Sequence, residues 1–230
     1  MDKKKKNILI ISIIGVVFVL AVGLACFSLF RGFSAKKYVT AVLEQHTEGN
    51  VGAIVGMTKG LTEDAAKAQY EQTMEGFLNN VIDADSLPLD EEQKKECLDA
   101  CKAIFKELNY SVGEEKKING NEYQVTVKYK ASDVLVKLKA ILEAETARLN
   151  AKVEAGEYRG SMEEIDTLMK TEYAVNLASM LKKAAEQMED GESGTITVIV
   201  KKGENGLYSM SGAQISEFLA KIMGLNEKQD

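Results

Sequence analysis

The first apolar segment of the chain is long and almost wholly apolar. Residues 8–30 carry no charged side chain, and a run of four lysines, Lys3–Lys6, precedes them. About 20 apolar residues are needed for a membrane-spanning helix, whereas the apolar core of a cleaved signal peptide has about 7 to 15. Lysine clusters stay on the cytoplasmic side of a membrane. The pattern therefore predicts a cytoplasmic tail at 1–6, a transmembrane anchor at 7–30 and an extracytoplasmic domain at 31–230.

Cys26 lies near the end of this apolar segment and permits a second interpretation. A bacterial lipoprotein carries its lipid on a cysteine that follows a small residue, which here is Ala25. Such signals usually have leucine three positions before the cysteine, where this chain has Gly23. Apolar residues also continue after Cys26. We expect an uncleaved anchor, with lipid attachment at Cys26 as the alternative.

Beyond the anchor, apolar residues recur at helical spacing in three segments. Each segment follows a side chain that caps helix N-termini well, namely Ser34, Thr62 or Asp90. Gln93 completes a capping box with Asp90. Between the first two segments, residues 51–59 are short and apolar and predict one or two helical turns.

The apolar spacing then changes to every second residue at 123–129, which predicts a half-buried strand. Asn119-Gly120 precedes it and is a strong hairpin turn signal, so 110–118 is the expected partner strand. A second hairpin is predicted from 195–202 and 207–210.

Helical spacing returns between the two hairpins and after the second one. It predicts two long helices, which end near residues 155 and 190, and a final helix that ends at Gly224. The second long helix has Leu168 and Val175 among its apolar positions. The expected N-caps are Ser132 or Asp133, then Ser161 with Glu164, then Ser211 with Gln214.

This order of elements predicts an α+β fold with a four-stranded antiparallel sheet and helices on one face. Three leading helices followed by a curved antiparallel sheet resemble the nuclear-transport-factor-2-like and cystatin-like folds. That resemblance implies that residues 132–190 are a helical hairpin inserted between strands.

Charge is distributed unevenly along the chain. Residues 33–230 contain 34 acidic and 24 basic residues, although the chain begins with a lysine run. An acidic domain repels nucleic acid at long range, and no basic helix with interleaved aromatic residues is present. Nucleic acid is therefore not expected as a partner. The predicted anchor makes the membrane the expected partner, together with an envelope protein or a small ligand.

Few side chains suggest reactive chemistry. His46 is the only histidine, and we expect it to interact with the last carbonyls of its helix rather than to act as a catalyst. Cys97 and Cys101 lie four residues apart on an apolar stripe. This spacing predicts core thiols, with a strained disulfide as the alternative. The acidic clusters do not match a calcium-binding loop. We expect no catalytic residue, no cofactor and no metal.

The segment AKKYVTAVLEQHTEGNVGAIVGMTKGLTEDAAKAQYEQTMEG resembles a family of uncharacterised Gram-positive bacterial lipoproteins and membrane-anchored surface proteins. The matching positions are Tyr38-Val39, Gly49-Asn50, Thr62–Ala65 and Tyr70-Glu71. The segment NYSVGEEKKINGNEYQVTVKYKASDVL is also similar. The resemblance implies an extracellular domain of unknown function over most of residues 34–230.

Three functions are compatible with these features. The chain is expected to be a membrane-anchored extracytoplasmic binding or assembly module without enzymatic activity. It would hold a small ligand in the concave face of the sheet or dock a partner on the two long helices. The alternatives are a cell-envelope hydrolase that uses paired carboxylates and a membrane-tethered regulatory subunit.

Overall fold

The structure of the protein is a computed structural model that describes residues 24–26, 33–58, 60–204 and 206–225. The described helices are α1 (Ala35–Glu48), α2 (Gly52–Met57), α3 (Glu63–Ile82), α4 (Glu91–Lys106), α5 (Val134–Glu154), α6 (Met162–Gln187) and α7 (Gly212–Ile222), and a 3-10 turn spans Ala84–Ser86. The described strands are β1 (Leu24–Cys26), β2 (Tyr110–Asn119), β3 (Glu122–Ser132), β4 (Asp190–Lys202) and β5 (Tyr208–Met210). The predicted α+β class is confirmed.

Strands β2 to β5 form the predicted four-stranded antiparallel sheet, and β1 adds a short fifth strand beside β5. The β2–β3 and β4–β5 turns lie together at one end of this sheet. The amide of Lys202 donates to the carbonyl of Asn121 at 2.8 Å, and the hydroxyl of Tyr208 donates to the carbonyl of Gly120 at 3.3 Å. Helices α5 and α6 connect β3 to β4 at the opposite end of the sheet.

One face of the sheet is filled by helices. The alternating residues Val125, Val127, Val198 and Val200 are fully buried, and α1 and α7 pack against β3. This arrangement confirms the expectation of helices on one face. It also means that the concave sheet face, which we expected as one possible ligand site, is occupied by side chains of the protein itself.

Local capping chemistry explains where most helices begin. The side chains of Ser34, Thr62, Asp90, Ser161 and Ser211 all accept a backbone hydrogen bond in the first turn of the following helix, as predicted. At the start of α5, Ser132 Oγ accepts from the amide of Val134 at 3.1 Å. Asp133 instead accepts from the amide of Glu189 at 2.7 Å, which ties the start of α5 to the segment between α6 and β4.

Strand β4 begins at Asp190, five residues earlier than the sequence predicts. The early part of β4 carries Gly191 and Gly194 and is exposed, so the alternation of apolar residues that indicates a strand is missing there. Its backbone nevertheless pairs with β3, and the ring of Tyr129 lies where a side chain on Gly194 would stand. Glycine at position 194 therefore permits this close approach.

The predicted anchor at 7–30 lies outside the described residues except for Leu24–Cys26. At these three residues the structure has strand β1 rather than a helix, because they pair with the free edge of β5. Among the described helices, none is long and apolar enough to cross a membrane. The anchor therefore stays a prediction.

The long helical hairpin packs on other helices. Helix α6 lies between α4 and α5, with Tyr173, Leu177 and Leu181 fully buried. The outward side of the hairpin faces solvent, and it carries the surface described next.

Candidate functional site: the groove of the α5–α6 hairpin

The outward side of the α5–α6 hairpin contains a groove with a volume of about 820 Å³. We call it the hairpin groove. It is lined by Lys137, Ala140, Ile141, Ala144, Glu145 and Arg148 of α5 and by Glu172, Asn176, Ser179, Met180, Lys183 and Gln187 of α6. Ala140 and Ala144 are one turn apart, so both lie on the same side of α5. These small residues and Ser179 leave the space that larger side chains would fill.

Exposed apolar side chains lie on the same two helices. Val136 of α5 is 67% exposed, and Val175 and Leu168 of α6 are 58% and 45% exposed. Helix α6 is covered by α4 and α5 on two sides only, so its third side remains open to solvent. All three lie on the hairpin that carries the groove, although none of them lines it, and exposed apolar residues are a feature of interaction sites.

A network of charged side chains joins the two helices on one side of the groove. Arg148 donates to both carboxylate oxygens of Glu145 at 2.7 Å and to Glu172 Oε1 at 2.7 Å. Lys152 donates to the same Glu172 oxygen at 2.7 Å, and the hydroxyl of Tyr158 donates to Glu172 Oε2 at 2.5 Å. This network links α5, α6 and the connection between them.

The network keeps both glutamates ionised. Hydrogen bonds from Lys152, Tyr158 and Arg148 lower the pKa of Glu172 to about 2. The hydrogen bond from Arg148 also lowers the pKa of Glu145, against a smaller opposing effect of burial. Neither carboxyl can therefore donate a proton near neutral pH, which is what the general acid of a glycoside hydrolase must do.

His46 does not lie near this groove and is not placed as the sequence predicted. Its imidazole is fully buried beside α3, and Nδ1 is 3.0 Å from Thr73 Oγ1. The Thr73 hydroxyl donates to the carbonyl of Gln69, so its oxygen accepts from Nδ1–H of His46. Burial lowers the pKa of His46 to about 4. Nδ1 is bonded to Thr73 and Nε2 has no hydrogen-bond partner among the described residues, so the expected interaction with the last carbonyls of α1 was wrong.

Cys97 and Cys101 are buried free thiols of α4, which confirms the prediction of core packing over a disulfide. Burial raises the pKa of Cys97 to about 11 and raises that of Cys101 further. Both sulfurs are therefore protonated and inert as nucleophiles at neutral pH.

Two further expectations concern a lipid and a metal. The side chain of Cys26 lies outside the described residues, so its lipid attachment stays a prediction. Within the described part of the chain, no three histidine, cysteine or acidic side chains are grouped as metal ligands.

The hairpin groove was not predicted from the sequence, because none of the residues that line it indicates a binding site when it is considered alone. The signal that was available is the spacing of Ala140 and Ala144, together with apolar residues at positions that solvent reaches. Comparison with known proteins adds no assignment: no family model, no curated protein and no solved structure matches the chain.

Proposed function

We propose that the chain is a membrane-anchored extracytoplasmic binding or assembly module without enzymatic activity. In this proposal, the hairpin groove receives an amphipathic helix of a partner protein in the cell envelope. The observation that carries the proposal is the solvent-exposed groove, which has Ala140, Ala144 and Ser179 in its lining, on a hairpin that also exposes Val136 and Val175.

A helix is the partner element that fits this surface best. Two antiparallel helices leave a linear depression between them, and small side chains at its base let a third helix approach closely. Apolar anchors on that helix would cover Val136 and Val175 and remove them from water. The charged network around Arg148 and Glu172 would meet a polar residue of the partner and fix its register.

Two alternatives receive less support from the described residues. The hydrolase hypothesis needs a carboxyl with a raised pKa facing a second carboxylate, whereas Glu145 and Glu172 are both held ionised by Arg148. A small ligand in the sheet would have to displace α1 and α7 from the buried valines. A regulatory subunit is a special case of the docking proposal, in which the partner is a membrane complex.

The location and finer fold belong to the same proposal. The apolar run at 8–30 after Lys3–Lys6 supports the anchor, and the matches at Tyr38-Val39 and Thr62–Ala65 support kinship with Gram-positive surface proteins. A sheet with helices on one face and an inserted helical hairpin is consistent with a nuclear-transport-factor-2-like or cystatin-like fold.

Site-specific photocrosslinking in native membranes tests the docking proposal. A photoreactive amino acid is placed at Val175 in the full-length chain, and at Thr197 on the exposed face of the sheet as a control. We expect a discrete adduct with one protein from position 175 and none from position 197. Ala144→Glu puts a charged side chain into the groove and should abolish the adduct, because it obstructs the docked helix.

The proposal is wrong if the adduct forms equally from position 197, or if Ala144→Glu leaves it intact. Glu143→Gln on the same helix is the matched variant for the second comparison, since Glu143 is exposed and does not line the groove. It should preserve the adduct.

A further inference from the structure

Three aromatic rings are grouped at the end of the sheet where the hairpin turns lie. The ring of Phe33 stacks on that of Tyr208 with centroids 4.0 Å apart and an angle of 8° between the planes. Tyr123 contacts both of them edge-on, with its centroid 5.6 Å from each. The rings belong to the group of residues 33–37, 114–123, 201–204 and 206–208, which we call the turn end of the sheet.

Lysine side chains accompany the tyrosines. The ammonium group of Lys117 lies 5.8 Å from the ring centroid of Tyr123, and that of Lys202 lies 5.8 Å from the ring centroid of Tyr208. Ile118, the second-last residue of β2, is 43% exposed. Tyrosine, lysine and an exposed aliphatic residue together are typical of protein surfaces at the membrane–water interface.

The turn end differs in charge from the rest of the domain. It contains six lysines and four glutamates, whereas the remainder of residues 33–230 has 18 basic and 30 acidic residues. The basic residues are Lys36, Lys37, Lys116, Lys117, Lys201 and Lys202, and the acidic ones are Glu114, Glu115, Glu122 and Glu204. An anionic surface would attract this end and repel the remainder, which favours a single orientation.

The start of α1 is fixed to the turn end. Glu115 accepts from Ser34 Oγ at 2.8 Å and from the amide of Lys36 at 2.6 Å. These bonds join β2 to the first turn of α1, and the stacking on Tyr208 holds Phe33 against the sheet. The position at which the chain enters the domain is therefore a fixed part of the turn end.

The distance to the predicted anchor is short. Phe33 is three residues beyond Phe30, the last residue of the anchor, and three residues span at most about 10 Å. The head-group layer on each side of a bilayer is roughly 5–8 Å thick. The chain therefore cannot carry Phe33 far from the lipid surface.

We propose that the turn end of the sheet rests on the head groups of anionic phospholipids. Tyr123 and Tyr208 lie at the level of the head groups, and Lys117 and Lys202 contact lipid phosphates. The acidic remainder of the domain, including the hairpin groove, then points away from the membrane. This inference rests on the membrane anchor in the proposed function.

Fluorescence in nanodiscs tests the orientation. The chain contains no tryptophan, so Ile118→Trp introduces a single reporter at the turn end. Val136→Trp is the matched control, because Val136 is exposed and follows the other end of β3, whose 11 residues span about 35 Å. The full chain is reconstituted in discs of phosphatidylcholine, with or without phosphatidylglycerol, that include lipids with a nitroxide on the head group.

We expect a loss of emission from the Ile118→Trp reporter that is larger in discs containing phosphatidylglycerol, and none from the Val136→Trp reporter. Adding Lys117→Glu and Lys202→Glu should reduce the loss to its value in neutral discs. Lys139→Glu with Lys182→Glu, both far from the turn end in sequence and exposed, should not reduce it.

Equal quenching of the two reporters, or no quenching at position 118 in a chain that co-elutes with the discs, overturns the orientation and leaves the anchor intact. A chain that does not co-elute with the discs overturns the anchor, and the inference with it.

Discussion

The imidazole of His46 is neutral because a second ring proton would have no hydrogen-bond acceptor among the described residues. Nδ1–H is already used by Thr73, and Nε2 has no hydrogen-bond partner among the described residues. Protonation at Nε2 would put a charge into a core that offers no counter-ion to it. In the unfolded chain the ring is in water and can be protonated freely. Acid therefore lowers the free energy of unfolding through this residue.

Replacing His46 by asparagine should therefore flatten the pH dependence of stability. The pKa of His46 is about 4 in the folded protein and 6.5 ordinarily. The unfolded chain binds a proton first as pH falls, so stability is complete above pH 6.5 and declines towards pH 4, by at most about 1.4 kcal/mol per pH unit. The measurement is urea unfolding of both chains between pH 7.5 and pH 4.5.

His46→Asn retains a polar atom near Thr73 but has no titrating ring. It should be less stable than the parent at pH 7.5, by about 1–3 kcal/mol for the smaller side chain, and the difference should narrow at pH 4.5. Since His46 is the only histidine, no other imidazole contributes to the comparison. A difference that stays constant with pH would show that His46 is not buried and neutral in the folded state.

Two glycines should respond oppositely to alanine. Gly49 ends α1 with φ at +70°, and an added Cβ would lie 2.6 Å from the ring of Tyr70. Gly49→Ala should therefore cost about 2 kcal/mol or more, from the unfavourable backbone and the displaced ring. Gly56 lies in α2 with open space around it, so Gly56→Ala should add roughly 0.5–1 kcal/mol. Thermal unfolding of the two variants separates these effects, and destabilisation by both would contradict the assignment.

At the scale of the element, the sequence predicts what local chemistry determines. Serine, threonine or aspartate before an apolar run identified the starts of α1, α3 and α4, because the side chain satisfies backbone donors of the helix that it begins. The start of β4 was missed, since its first residues are exposed and carry no alternating apolar pattern, although their backbone pairs with β3. The exposure of Val175 was missed because it depends on which sides of α6 are covered by α4 and α5.

The connection between α5 and α6 should loosen when Glu172 loses its charge. Glu172→Gln removes the negative partner of Arg148 and Lys152, although both pairs are partly exposed, so the loss of global stability should stay below about 1 kcal/mol. Local opening is more sensitive than global unfolding. Hydrogen exchange at residues 148–165 should accelerate, and the hairpin near residue 181 should not change.

The same contacts should make local opening of residues 148–165, the tip of the hairpin, sensitive to acid. The pKa of Glu172 is about 2 in the folded chain, below the ordinary 4.5, so its stabilising contribution is complete above pH 4.5 and is lost as pH falls towards 2. Protection of the amides at the tip, relative to their intrinsic exchange rate at each pH, should fall over that range in the parent chain and fall less in Glu172→Gln. Glu143→Gln serves as the control on α5, and an equal effect of both variants would contradict a specific role of Glu172.

At the scale of the whole molecule, the arrangement depends on contacts between distant segments. The sequence predicts an acidic domain, but only the sheet register brings Lys117 and Lys202 to one end of it. Similarly, the length of α5 and α6 was predictable, whereas their packing on α4 follows from the shapes of three helices. Both surfaces proposed to make contacts, the hairpin groove and the turn end, are products of this long-range assembly.

The attachment of the chain to the membrane leads to the last prediction. An uncleaved anchor retains Lys3–Lys6 and the whole apolar run, so the protein extracted from its native membrane should have the mass of the full chain, 25.2 kDa. Processing at Cys26 would instead remove residues 1–25 and add acyl chains, and β1 would lose Leu24 and Ala25. Intact mass spectrometry distinguishes these products directly. Cys26→Ser is the matched variant: it should remain in the membrane pellet after alkaline extraction, because an uncharged and almost wholly apolar run of 23 residues holds a helix in the bilayer without lipid attachment. Release of Cys26→Ser into the supernatant, together with an acylated mass for the parent, would show that a lipid and not a transmembrane helix holds the chain in the membrane.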